Sequence, residues 1–228
     1  MKTKLSILIV LSFFYTSSVK SQSCFLNVDY NNLGALSTKT SDKNLDNAIL
    51  NEYDFLSYKF NVRPNLFFIF DGFQPAAYVT NQVSNPNFPD GTILLGISML
   101  QEECDRTSPR NCTAIPLVLA HEFAHILDIK FQTGLHGKHK ELFADFLTGY
   151  YFFYRSFQFH SPFEREKTLI FFEKDNYAFN NPLFHGTPNQ RQSALSAGFQ
   201  LAYNYASEGI ELEIESVIQI AIPFVKQF

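Results

Sequence analysis

The sequence predicts an α+β fold, a small sheet packed on one buried helix with a helical C-terminal part. Three observations predict it. Two short apolar runs, Asn65–Phe70 and Gly91–Ile97, have the length of strands. Residues 114–131 are apolar on nearly every side of a helix, which places that helix inside the molecule. Two later stretches, from about Lys140 to Phe157 and from Pro188 to about Tyr205, have helical spacing.

The elements follow in order. Residues 43–60 mix apolar and polar positions at helical spacing and predict a helix. Asn65-Leu66-Phe67-Phe68-Ile69-Phe70 reads as a buried strand that ends in an Asp71-Gly72 turn. Asn81 to Asp90 is rich in Asn and Pro and reads as a loop, and Gly91–Ile97 as a second strand. In the helix over 114–131, Pro116 is tolerated in the first turn, and Leu117, Ala120, Ala124 and Leu127 spread apolar groups around the axis. Gly134 to Lys140 is a polar break before the next helix. The later helix opens on Thr187-Pro188-Asn189-Gln190, where Thr187 can cap, Pro188 suits the first helical position and Gln190 completes a capping box. The tail from Ile210 to Phe228 is apolar but shows no decisive period.

The 228 residues suit one domain. Apolar residues at 46% can fill a core, and charged residues at 18% are too few for a disordered chain. The 26 Phe read as core filling or codon bias rather than a ligand box. Residues 1–21 read as a signal peptide and residues 22–228 as the mature domain. Lys2 and Lys4 give a basic start, and Leu5 to Tyr15 is an apolar run too short to span a membrane comfortably. Val19-Lys20-Ser21 then offers small residues for cleavage, with Gln22 as the mature start; an uncleaved anchor is the competing reading. Cys24 lacks a lipoprotein box around it. The expected location is extracytoplasmic, secreted or periplasmic. Cleavage removes Lys2, Lys4 and Lys20 and no acid, so the formal charge moves from −4 to −7. So acidic a protein is a poor partner for nucleic acid or anionic membranes, and no other stretch reaches membrane-spanning length. Cys104 and Cys112 enclose a polar loop and are expected to pair as a disulfide in an oxidising compartment, unless Cys24 takes one of them. Asn111-Cys112-Thr113 is a glycosylation sequon that matters only in a eukaryotic host.

The chemistry sits on the apolar helix. His121-Glu122-Phe123-Ala124-His125 places two imidazoles one turn apart on one face, where both can reach one metal ion. Glu122 lies beside them, placed to take a proton from a bound water. Five residues are few enough to match by coincidence, but the flanks are apolar. Burying two histidines and a carboxylate costs several kcal/mol, roughly, unless something pairs them, and a metal ion does so.

Catalytic zinc takes three protein ligands and a water, so a third ligand is needed. Glu141 is the favoured candidate, 16 residues after His125 and at the start of the next helix. Asp145, one turn further on, can accept a hydrogen bond from the far nitrogen of a ligand histidine. Leu142, Phe143, Phe146 and Leu147 surround the pair and argue against a solvated face. His136 and His139 are the rivals, in a Gly- and Lys-rich loop. The elongated three-histidine zinc motif needs Gly and His where this chain has Asp128 and Phe131, which excludes that branch.

Three segments together resemble the gluzincins, and among them the bacterial putative neutral zinc metallopeptidases. They are His121-Glu122-Phe123-Ala124-His125, Glu141-Leu142-Phe143-Ala144-Asp145 with Gly149, and His185-Gly186-Thr187-Pro188-Asn189-Gln190-Arg191. The chain departs from that pattern at Ile126 and Phe146, where the family shows His and Cys, and in its N-terminal region. The resemblance implies a zincin-like fold with Zn2+ bound by His121, His125 and Glu141, and a peptide or protein as substrate. His185 could then stabilise a developing oxyanion, and Arg191 could buttress Glu141 or Asp145 with a bidentate contact. The plainer alternative for this third segment is a well-capped helix start with a structural Arg.

The expected function is zinc-dependent peptide-bond hydrolysis with Glu122 as general base. Strand 91–97 is the expected edge for pairing with an extended peptide. A non-catalytic zincin-fold module, or a metal-free secreted domain with a coincidental motif, are the alternatives.

Overall fold

The computed structural model describes residues 36–70, 77–107, 114–160 and 184–228. The expected signal peptide, Gln22, Cys24, the Asp71-Gly72 turn, the sequon and Cys112 lie outside the described residues, and with Cys112 goes the expected partner of Cys104. The chain is a mixed α+β structure with six helices and one three-stranded sheet among the described residues. In chain order these are α1 (Lys43–Phe60), β1 (Asn65–Ile69), β2 (Ala77–Thr80), β3 (Thr92–Gly96), α2 (Ile97–Thr107), α3 (Ala114–Phe131), α4 (Lys138–Gln158), α5 (Pro188–Ser207) and α6 (Ile214–Val225). None of these helices is long and apolar enough to cross a membrane.

Local signals set the helix ends. The Asp42 carboxylate accepts from the amides of Asn44 (2.8 Å) and Leu45 (3.2 Å), which opens α1. At α5 the capping box forms as expected: Gln190 N donates to Thr187 Oγ1 at 3.2 Å, and Thr187 N donates to Gln190 Oε1 at 2.9 Å. The undecided tail folds as α6, packed on α4.

The sheet order is β1-β3-β2, with β3 parallel to β1 and antiparallel to β2. Asn65 faces Thr92 at one end of the parallel pair and Ile69 faces Gly96 at the other. This corrects one expectation. The strand at Gly91–Ile97 is not an edge, because β3 bonds to neighbours on both sides and every residue of it is buried. Its unbroken apolar run, Thr92-Ile93-Leu94-Leu95-Gly96, is what a central strand needs. The run also stops one residue earlier than expected, because Ile97 begins α2.

α3 is the axis of the core. Every residue from Ala114 to Asp128 is buried, which is why this helix is apolar all round. It packs on α1, α2, β2 and β3, and on α4. Burying each of its Leu, Ile and Phe side chains contributes roughly 1.5–3 kcal/mol. Part of the Phe excess lies in this interior, where Phe60, Phe123 and Phe143 are among the largest fully buried side chains, while Phe70 and Phe157 are exposed.

α4 in turn packs on α5 and α6. A β carbon on Gly149 of α4 would fall 1.8 Å from the carbonyl oxygen of Leu195, and one on Gly198 of α5 would fall 1.8 Å from that of Phe146. The two helices therefore cross backbone to backbone, each through the other's glycine. An ion pair between buried Glu52 and half-buried Arg155 ties α4 to α1. Arg155 donates to both oxygens of Glu52 at 2.6 and 3.1 Å, and Tyr151 Oη donates to Glu52 Oε1 as well.

Candidate metal centre

The site forms where the first turn of α4 meets the middle of α3. His121 and His125 lie one turn apart on α3, both buried, with ring centroids 4.7 Å apart and planes at 88°. Glu141 comes from the first turn of α4 and is also buried. Nε2 of His121 lies 3.2 Å from Nε2 of His125 and 3.2 Å from Oε2 of Glu141. Nε2 of His125 lies 3.6 Å from the same Oε2.

These three separations test the fit to an ion. A tetrahedral ion with bonds of about 2.0–2.1 Å holds its ligand atoms about 3.3–3.4 Å apart. A triangle of 3.2, 3.2 and 3.6 Å spans that geometry. The chemistry agrees, since two imidazoles and one carboxylate turn lone pairs toward one another inside the protein. The buried group of His121, His125 and Glu141 could hold a metal ion.

Both rival histidines stand apart from this group. His136 is exposed in the α3–α4 loop, and His139 is half-buried on the first turn of α4. The donor cluster contains neither of them.

Asp145 stands behind His121. Its Oδ1 is 3.2 Å from His121 Nδ1, close but turned off the line of a good hydrogen bond. Arg191 grips the same carboxylate with a fork: Nε donates to Oδ2 at 2.8 Å and Nη2 to Oδ1 at 2.9 Å. Asp145 is 1% exposed and Arg191 2%, so the fork works away from water. Of the two partners expected for Arg191, the fork is to Asp145. Arg191 reaches it from the first turn of α5 because the glycine crossing brings α5 against α4.

His185 is buried just before α5, close enough for its charge to act on both Glu122 and Glu141. Gly186 beside it has φ +99°, and a β carbon there would sit 3.3 Å from Leu142. A side chain at Gly186 would strain the backbone and press on α4, so the glycine sets where His185 lies.

The electrostatics are those of a site that attracts positive charge. Burial opposes a charge on His121, but the carboxylates of Asp145 and Glu141 against its two nitrogens push it up to about 10. Burial holds His125 below its ordinary value, against the pull of Glu141. Burial also opposes ionisation of Glu141, yet His125, His185 and the histidine hydrogen bonds hold it well below the usual carboxylate range. Glu122 is pushed up to about 7 by burial, with His121, Lys140 and His185 pulling the other way. Lys140 had no signal of its own in the sequence. It stands in a lysine-rich break that reads as solvated, yet its charge acts on Glu122 and His125.

Comparisons with family models, with curated proteins and with solved structures find no match to this chain.

Proposed function

We propose that this chain is a gluzincin-type, zinc-dependent metallopeptidase with a zincin-like fold, exported from the cytoplasm. The observation that carries the reading is the buried donor triangle of His121, His125 and Glu141, at spacings that suit a tetrahedral ion. Glu122, buried beside it on the same helix, supplies the base. Two histidines and one carboxylate are a ligand set of hydrolytic zinc sites, which leave the fourth position open.

His121, His125 and Glu141 would hold the ion, and Asp145, gripped by Arg191, would orient the ring of His121. A zinc ion there supplies Lewis acidity, acidifying water and polarising a peptide carbonyl. Glu122 takes the proton of the attacking water on its carboxylate and passes it to the leaving amine. In the metal-free chain burial already pushes this carboxyl up to about 7, toward the range in which a group can both take and return a proton. His185, buried near both Glu122 and Glu141, would donate toward the carbonyl oxygen as negative charge develops there.

A metal-free reading has one observation in its favour. His121 lies between Asp145 at Nδ1 and Glu141 at Nε2, and a proton on its ring would suit both carboxylates. Elemental analysis of protein purified without chelator separates the two readings. About one zinc per chain is expected, and its absence overturns the metal site. Glu122→Gln should keep that zinc and lower kcat by about 10²–10⁴-fold. Cleavage of a peptide library at the parent rate by this variant would refute the proposed base. Zinc in the parent with no hydrolysis of any peptide would favour a binding module.

A further inference from the structure

His121, His125 and Asp128 form one stripe on α3, at positions i, i+4 and i+7. The first two meet Glu141. The third does something else, and the sequence used it only to exclude a three-histidine site. Asp128 is 8% exposed and lies at the mouth of the α3–α4 connection. Its Oδ1 accepts from the hydroxyl of Thr133, and its backbone oxygen accepts from Thr133 N at 3.3 Å. Its Oδ2 lies 3.5 Å from Nζ of Lys140. The Thr133 hydroxyl also accepts from Leu135 N at 3.3 Å. Asp128 thus holds both ends of the connection, one residue short of Glu141. At the start of α4 itself, Lys140 N donates to the Gly137 carbonyl at 3.1 Å and Lys138 Nζ to the Phe228 carbonyl at 2.5 Å, so the Asp128 clasp is the tie that runs back to α3.

Two of the three donor atoms ride on the rigid helix α3. The third depends on where α4 begins. From this placement we propose that Asp128 is a positioning residue: through Thr133 and Lys140 it fixes the first turn of α4 and so sets Glu141 against His121 and His125. It touches neither metal nor substrate. The inference rests on the metal reading above and extends it to the group that preorganises the third ligand. Outer groups that orient a ligand change metal affinity by about 10–100-fold.

The experiment titrates the metal-stripped full chain with Zn2+ and, separately, with Co2+, whose visible bands report ligand geometry. Asp128→Asn keeps the shape and removes the charge; Thr133→Val removes only the hydroxyl and covers the case in which the Asp128 variant does not fold. Tyr150→Phe is the control, because it loses a hydrogen bond to the Leu212 carbonyl (3.0 Å) away from the site. Both site variants should bind zinc about 10-fold or more weakly, with altered cobalt bands. The control should bind as the parent does. Unchanged affinity and unchanged cobalt bands in Asp128→Asn and Thr133→Val would overturn the positioning role and leave the metal site standing. An equal loss in Tyr150→Phe would also overturn it, showing a general effect of stability. A parent chain that binds neither metal would overturn the metal reading, and this inference with it.

Discussion

Two of the buried carboxylate clusters among the described residues are built to opposite plans. Around Glu52 everything closes. Arg155 bonds both oxygens, Tyr151 adds a third donor, and the negative charge meets its positive partner inside the protein. Around Glu141 the plan is open. Two imidazoles approach one carboxylate oxygen at 3.2 and 3.6 Å and each other at 3.2 Å. The guanidinium nearby is spent on Asp145, one step behind. A buried charge that serves only to join helices is matched by its own neighbours. Around Glu141 the negative charge is balanced either by a proton on His121 or by a cation from outside.

The widest gap between the two clusters should appear when the open one is cut. His125→Ala is expected to abolish zinc binding and peptide hydrolysis, and chelator should lower the melting temperature of the parent but not of this variant. At free zinc about 1,000 times its Kd, bound metal stabilises a fold by about 4 kcal/mol. A variant that kept stoichiometric zinc would show that the triangle is not the site.

Cutting the closed cluster should do the reverse. Arg155→Met strands Glu52, which is 4% exposed, and is expected to lower unfolding stability by about 3–5 kcal/mol in denaturant titrations. Zinc affinity should stay as in the parent, and a parallel fall in affinity would mean that the two clusters are one unit. Next in size is the helix crossing that serves the open cluster. Gly198→Ala forces a methyl onto the Phe146 carbonyl and should lower stability by about 1–3 kcal/mol. It should also weaken zinc, because Asp145 and Arg191 ride on the two helices being parted; a parent-like affinity would separate the crossing from the site. The smallest effect is expected from Tyr151→Phe. It removes one donor to Glu52 while the Arg155 fork remains, at a cost of about 1–2 kcal/mol and no change in metal binding.

The parts of this protein that were legible in the sequence are those where a local signal names the outcome. α1 spans the residues its helical spacing indicates, and α3 runs over 114–131 as its apolar run requires. The Thr187–Gln190 box caps α5 as its four residues predict. His121 and His125 share a face because four residues make about one turn, and Glu141 and Asp145 share a face of α4 for the same reason. The parts that were not legible depend on distant partners. β2 is four residues long, Ala77-Tyr78-Val79-Thr80, too short for its pattern to stand out. α2 begins straight after β3 with no polar break between them, so strand and helix read as one apolar run.

Chain-local chemistry by itself determined α1, α3, α4 and α5, the α+β class and the identity of the groups able to bind a metal, because spacing along a helix fixes which side chains stand together. The tertiary structure alone decided that β3 lies in the middle of the sheet and that Arg191 grips Asp145. It also decided that Glu141 completes the triangle where His136 and His139 do not. Those outcomes turn on how α3, α4 and α5 pack. The packing of α4 on α5 turns on two backbone-to-backbone glycines, contacts between residues far apart in the chain that no local pattern encodes.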